Sequence, residues 1–76
     1  MNTPVQNKVS GISSIIIEYL AESRKALDAE TLWLELRHQG HCMSICSVYI
    51  NVRKLARMNL LFKTQDENRK YIYSIV

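Results

Sequence analysis

The sequence predicts an α+β domain, mainly helical, in which three helices precede a β-hairpin. Three observations lead there. Apolar residues recur at helical spacing in three successive segments up to about Met58. After Asn59 the pattern changes to short runs rich in aromatic and branched residues, as in strands. The 76 residues hold one domain, with too little core for a second.

Residues 1–8 read as a flexible arm, polar and holding the only proline, Pro4; residues 9–76 read as the folded domain. A helical period appears from about Val9, and Ser10 suits the N-cap of the first helix. Ile12, Ile15, Ile16, Tyr19 and Leu20 form its inward stripe. Ser23-Arg24-Lys25 ends it, and Ala26-Leu27 could make a very short strand. Asp28 caps the second helix, and Glu30 lies in its first turn, where the helix dipole favours an anion. Ala29, Leu32, Trp33 and Leu36 face inward. Arg37 and His38 suit its C-terminal end, with Gly40 just past it. The connection through Gly40-His41-Cys42-Met43 is short.

Ser44 caps a third helix running to about Met58, with Ile45, Val48, Val52 and Leu55 as a narrow apolar seam. Leu60–Thr64 and Lys70–Ile75 then form the hairpin, in which Tyr71, Tyr73 and Ile75 alternate. Gln65–Arg69 is a polar tip, longer than a tight Asn-Gly turn. Helix, short strand, helix, tight turn, helix and hairpin is the order of a winged helix-turn-helix, with the third helix in the recognition position.

The formal charge of +3 is unevenly divided. Residues 1–35 hold three cations against five acids, a net −2, whereas residues 36–76 hold seven against two, a net +5. No acid lies between Leu36 and Gln65. A basic segment on one side of a small domain is the footprint of a polyanion binder, although a solvated basic face without a partner gives the same arithmetic. No apolar run approaches the ~20 residues of a membrane span, and no cleavable signal is visible. Two cysteines four positions apart make no disulfide framework, so a reducing cytoplasm is the expected compartment.

Ser47-Val48-Tyr49 with Val52, Leu55 and Leu60-Leu61 resembles the T-V-Y-R-x-L-x-x-L-x-x-x-G-L-V stretch of the ferric uptake regulator family. Asp28-Ala29-Glu30-Thr31-Leu32-Trp33 resembles that family's S-A-E-x-L-Y segment. Lys8-Val9-Ser10 and Ile16-Ile17-Glu18-Tyr19-Leu20 resemble its opening. The spacings agree without gaps from Lys8 to Leu61. The resemblance covers the family's DNA-binding half; the half that carries dimerisation and the metal sites has no counterpart in these 76 residues. It departs at three places: Ile50 stands where the family has arginine, Ser13 where its first helix has arginine, and Asn59 where it has glycine. The resemblance implies a DNA-facing third helix, with Tyr49 at thymine methyls, Ser47 at a phosphate and Lys8 in the minor groove.

The candidate DNA-binding residues are therefore Lys8, Ser47, Tyr49, Ile50, Asn51, Arg53, Lys54, Arg57, Arg69 and Lys70. Arg53, Lys54 and Arg57 suit phosphates, or else the dipole of a helix end. Asn51 could read adenine if it faces the groove, or simply be solvated. Arg69 and Lys70 could reach the backbone or minor groove, but Asp66 and Glu67 beside them oppose this. His38, His41, Cys42 and Cys46 have ligand-like spacing, yet they straddle a turn the fold needs, and packing is the preferred reading. No metal or other cofactor is expected. Cys46 could be a redox-sensitive thiol. There is no nucleophile–base pair, phosphate loop or convergent carboxylate pair, so catalysis is not expected. The expected function is a small transcriptional regulator binding double-stranded DNA, as a monomer or homodimer. The alternative is a winged helix that has lost DNA binding and holds a protein through apolar residues such as Ile50, Ile17 and Tyr71.

Overall fold

The computed structural model describes residues 11–76. Its elements are α1 (Ile12–Ser23), β1 (Leu27–Asp28), α2 (Ala29–His38), α3 (Ile45–Arg57), β2 (Leu61–Gln65) and β3 (Tyr71–Ile75). The strands form one antiparallel sheet in the order β1-β3-β2. This is the winged-helix order expected from the periodicities. The arm, Lys8 and the candidate cap Ser10 lie outside the described residues.

Within the described residues α1 starts at Ile12 behind Gly11, whose φ of 60° is a conformation that suits glycine. Ile16 and Leu20 are fully buried, and Ile12, Ile15, Ile17 and Tyr19 pack partly against them. Arg24 turns left-handed (φ 56°) and donates its N–H to the Leu20 carbonyl, which ends the helix. The short strand lies one residue later than the sequence implies, at Leu27–Asp28, where those residues pair with Tyr73 and Ile72. The left-handed turn at Arg24 uses Lys25 and Ala26 to bring the chain back to the sheet.

Asp28 then caps α2. Its carboxylate accepts the Thr31 N–H at 3.2 Å and the Thr31 hydroxyl at 2.6 Å. At the other end Gly40 (φ 92°) donates to the Arg37 carbonyl and His41 to that of Leu36. This pair of bonds is the Schellman ending, which requires a left-handed residue. The same pair recurs after α3: Asn59 donates to Ala56 and Leu60 to Leu55, with Asn59 at φ 62°. Asparagine thus fills a glycine position because its side chain tolerates that region.

Trp33 fixes the turn between α2 and α3. Its indole N–H donates to the Met43 carbonyl at 2.9 Å, and the Arg37 guanidinium lies 5.1 Å from the ring centre. Ser44 caps α3 by accepting the Ser47 N–H. The core is then Ile16, Leu20, Ala29, Leu32, Leu36, Val48, Val52, Leu55, Leu61 and Tyr73. Each large aliphatic side chain there contributes about 1.5–3 kcal/mol by leaving water. Of the expected third-helix seam, Val48, Val52 and Leu55 are fully buried, whereas Ile45 is half-buried.

The hairpin pairs Leu61 with Ile75 and Gln65 with Tyr71. Its tip is a three-residue loop: Asp66 N–H bonds to the Lys70 carbonyl, Arg69 N–H to the Asp66 carbonyl, and Arg69 sits left-handed at φ 64°. The Asp66 carboxylate accepts the N–H groups of Asn68 and Lys70. That acid therefore holds the tip together.

One polar cluster ties α1 to α2. The Tyr19 hydroxyl donates to the Glu35 carboxylate, which also faces the Lys25 ammonium at 3.3 Å. Tyr19's bond holds Glu35 below the usual carboxylate range against the opposing effect of burial, helped by Lys25 and His38. The same bond, with burial and the Glu35 charge, pushes the Tyr19 phenol up. A depressed acid stabilises the fold above its unfolded pKa and ceases to do so as pH falls through its folded one. A raised phenol contributes fully below its unfolded pKa and is lost as pH rises through its folded value. Stability should therefore be level around neutrality and fall towards both the acid and the phenol ranges. Glu35→Gln should shrink the acid loss, leaving the part due to Asp28, which is also depressed: burial pulls it up, but the bonds from Thr31 and the Lys70 charge outweigh that. Urea midpoints measured from neutral to acid pH check this; an unchanged acid limb in Glu35→Gln would refute it.

Candidate nucleic-acid interface

The faces of α3 follow from its seam. An α-helix advances about 100° per residue, so with Val48, Val52 and Leu55 inward, Cys46, Ile50, Arg53 and Arg57 lie along the opposite line. All four are exposed, as are Tyr49 and Lys54 on the flanks. Ile50 is 63% exposed and Tyr49 44%, so neither belongs to the core. No acid occurs on this helix. The exposed face is thus an apolar and thiol-bearing N-terminal half followed by three cations.

Tyr49 and Arg53 also line a concave space between α3, the start of α2 and the wing. Lys63, Lys70, Tyr71 and Tyr73 complete its wing side, with Asp28, Ala29 and Glu30 opposite. Lys70 reaches towards Asp28 (3.9 Å), and the Lys63 ammonium stands 4.3 Å from the centre of the Tyr71 ring. Lys70 therefore joins the same concavity as Arg53. Arg69 is exposed at the wing tip, apart from it.

Asn51 faces α1 rather than the exposed line. Its carbonyl oxygen accepts the Ser13 hydroxyl at 2.5 Å, and its amide donates to the Ser47 carbonyl at 2.7 Å. Ser13 is 1% exposed and is the buried polar side chain of the core. Burying a hydroxyl demands a partner, and Asn51 supplies it. A base-reading role would require Asn51 to give up both bonds. Ser47 is half-buried beside this tie, and its hydroxyl accepts that of Ser44 at 3.1 Å.

Two residues absent from the sequence-derived set share the exposed face of α3 or the adjoining concavity. Cys46 shares the exposed line with Ile50 and Arg53, which the four- and three-residue spacings already implied. Lys63 enters through hairpin register, because it pairs with Tyr73 and its side chain shares a face with Tyr71. No local signal in the sequence fixes that register. Among the described residues, no group of three or more His, Cys, Asp or Glu side chains could hold a metal ion. Cys42 and Cys46 are free and exposed. No described helix is long and apolar enough to cross a membrane.

If Asn51 is a tie, its loss is a stability defect. Asn51→Ala should cost about 1–3 kcal/mol, because it leaves the Ser13 hydroxyl buried without a partner. Ser13→Ala added to Asn51→Ala should cost little more, a non-additive pair in urea denaturation. Two neutral single substitutions would disprove the tie.

With that geometry established, the comparison with known proteins adds one match. A family model described as the ferric uptake regulator family matches residues 5–76, nearly the whole chain, and corresponds to the DNA-binding region of that family. No curated protein matches the chain.

Proposed function

The chain belongs to the ferric uptake regulator family, and from that premise we propose that it is a transcriptional regulator whose α3 enters the major groove of double-stranded DNA. The family is one of DNA-binding regulators rather than enzymes, and its DNA-binding region has the winged-helix form found here. The observation that carries the finer reading is the exposed face of α3, which has no acid and presents Arg53, Lys54 and Arg57 beside Tyr49 and Ile50. Residues 9–76 act as the binding domain, with residues 1–8 as an arm that brings Lys8 to the minor groove.

The N-terminal half of a recognition helix meets base edges, and its later cations meet phosphates. Tyr49 and Ile50 would therefore lie against bases, with Arg53, Lys54 and Arg57 on the backbone. Arg69 and Lys70 extend the backbone contact from the wing. Ser47 sits at the start of α3, where a phosphate would also meet the helix's free N–H groups. Asn51 positions α3 instead of reading a base. A domain of this size covers a short half-site, so useful specificity calls for a homodimer or tandem binding. A cytoplasmic location suits a chain with two free thiols and a DNA partner.

Ile50 also serves the alternative reading, a protein-binding winged helix. The cations ranged along the same helix favour a polyanion over an apolar partner. Selection of duplex from a random pool at two salt concentrations separates specific, non-specific and absent binding.

Two outcomes are expected. Binding should weaken steeply with salt, and Arg53→Ala with Lys54→Ala should reduce the log–log slope by about 2. Fluorescence anisotropy measures this; an unchanged slope removes those residues from the backbone. Ile50 cannot donate to guanine as arginine does, but it can touch a thymine methyl. Replacing a contacted thymine by uracil should weaken wild type roughly fourfold, the value of about 0.8 kcal/mol for one buried methyl, and should weaken Ile50→Ala less. Equal losses in both proteins would exclude methyl readout by Ile50.

A further inference from the structure

The concave space between α3 and the wing encloses about 420 Å³. Three cations reach it from three places in the chain: Arg53 from α3, Lys63 from β2, and Lys70 just before β3. Tyr73 lies beneath them. It is only 3% exposed, and its ring belongs to the core. Tyr73 lines the concavity beside Tyr49 and Tyr71, and its hydroxyl is close enough to Arg53 to feel that charge. Yet among the described residues that hydroxyl has no hydrogen-bond partner. The hydroxyls of Tyr19 and Ser13, by contrast, are engaged with Glu35 and Asn51. The Tyr73 hydroxyl is therefore free to donate to a group seated in the concavity.

The charges around it define the ligand. Burial pushes the Tyr73 phenol up despite the nearby Arg53, so it stays protonated and can donate. Lys63 rests over the Tyr71 ring and is not neutralised by an acid there. On the far wall, Asp28 is already committed to capping α2 and to facing Lys70. Glu30 is exposed at the rim. What remains at the Tyr73 end is one unpartnered O–H and two cations, Arg53 and Lys63, that face no carboxylate within 4 Å among the described residues. A small anion with several oxygen acceptors satisfies all three at once, through charge-assisted bonds.

We propose that this groove is a seat for a single phosphate group, held by the Tyr73 hydroxyl with Arg53 and Lys63. The seat rests on the DNA-binding reading, because the occupant is a backbone phosphodiester of the duplex lying along α3. Free phosphate offers the same chemistry from a second source. The seat makes Tyr73 a ligand-touching residue as well as a core residue. It also explains why a cation on the wing and a cation on α3 converge beside a buried phenol.

Tyr73→Phe tests this, since it keeps the ring and removes only the hydroxyl. The variant and the wild-type chain are compared on duplexes carrying one neutral methylphosphonate at a time. Wild type should lose about tenfold at one position per half-site, the scale of a lost charge-assisted contact. Tyr73→Phe should start several-fold weaker and lose distinctly less at that position. In parallel, inorganic phosphate is titrated into the wild-type chain with labelled tyrosines, and the Tyr73 ring signals are followed by NMR. A saturable shift, abolished in Arg53→Ala, shows that free phosphate occupies the seat. A shift caused by duplex alone assigns it to the backbone. Either response supports the seat. The titration uses the unmodified protein, so it decides the matter even if phenylalanine loosens the core. A variant equal to wild type on every duplex, together with a Tyr73 ring that responds to neither titrant, overturns the proposal. Duplex binding that persists in that case leaves the DNA-binding reading standing.

Discussion

Everything in this domain depends on how narrow the apolar seam of α3 is. Val48, Val52 and Leu55 are its fully buried side chains, and they meet Ile16, Leu20, Leu32 and Leu36 of the other two helices. A wider stripe would have sunk the helix into the core. With this one, about half of its circumference stays outside, and that half is where Cys46, Tyr49, Ile50, Arg53, Lys54 and Arg57 stand. Fold and function are therefore two consequences of one packing decision. The residues that hold α3 cannot be those that use it, and the tie from Ser13 to Asn51 steadies the helix without taking up its outer face.

The division of charge has the same logic. Two of the five acids of the first half are engaged inside the scaffold, whereas Glu18, Glu22 and Glu30 are exposed. Glu35 joins α1 to α2 through Tyr19 and Lys25, and Asp28 caps α2. In the second half, Asp66 is spent on the wing tip. The cations of the second half are mostly without such partners: among the described residues, Lys70 is the only one of them facing a carboxylate within 4 Å. A net +3 thus understates the basic character that a ligand approaching α3 would meet.

Much of this was legible in the residues themselves. Helical period, the caps Asp28 and Ser44, and the left-handed endings at Gly40 and Asn59 are local properties, and local chemistry decides them. The start of β1 was displaced by one residue because a two-residue strand is defined by its partner β3 and carries no pattern of its own. Ser13 shows the opposite limit. A serine on a helix reads as neutral, and only the approach of α1 to α3 reveals that it is buried and needs Asn51. That same approach turns Asn51 away from the exposed face. The concavity was invisible for a related reason: Lys63 and Tyr73 meet Arg53 only once hairpin register and the seating of the wing against α3 are both settled.

Arg24, Asn59 and Arg69 all hold positive φ, and none is glycine. For an ordinary side chain that region costs roughly 1–2 kcal/mol, a noticeable sum against the slender stability of a domain this small. Asn59 bears least of this, since its side chain tolerates the region. Arginine in two of those three places puts a charged side chain, at the end of α1 and at the wing tip, in a conformation that glycine adopts without strain, so both sites are headroom for engineering a hardier domain.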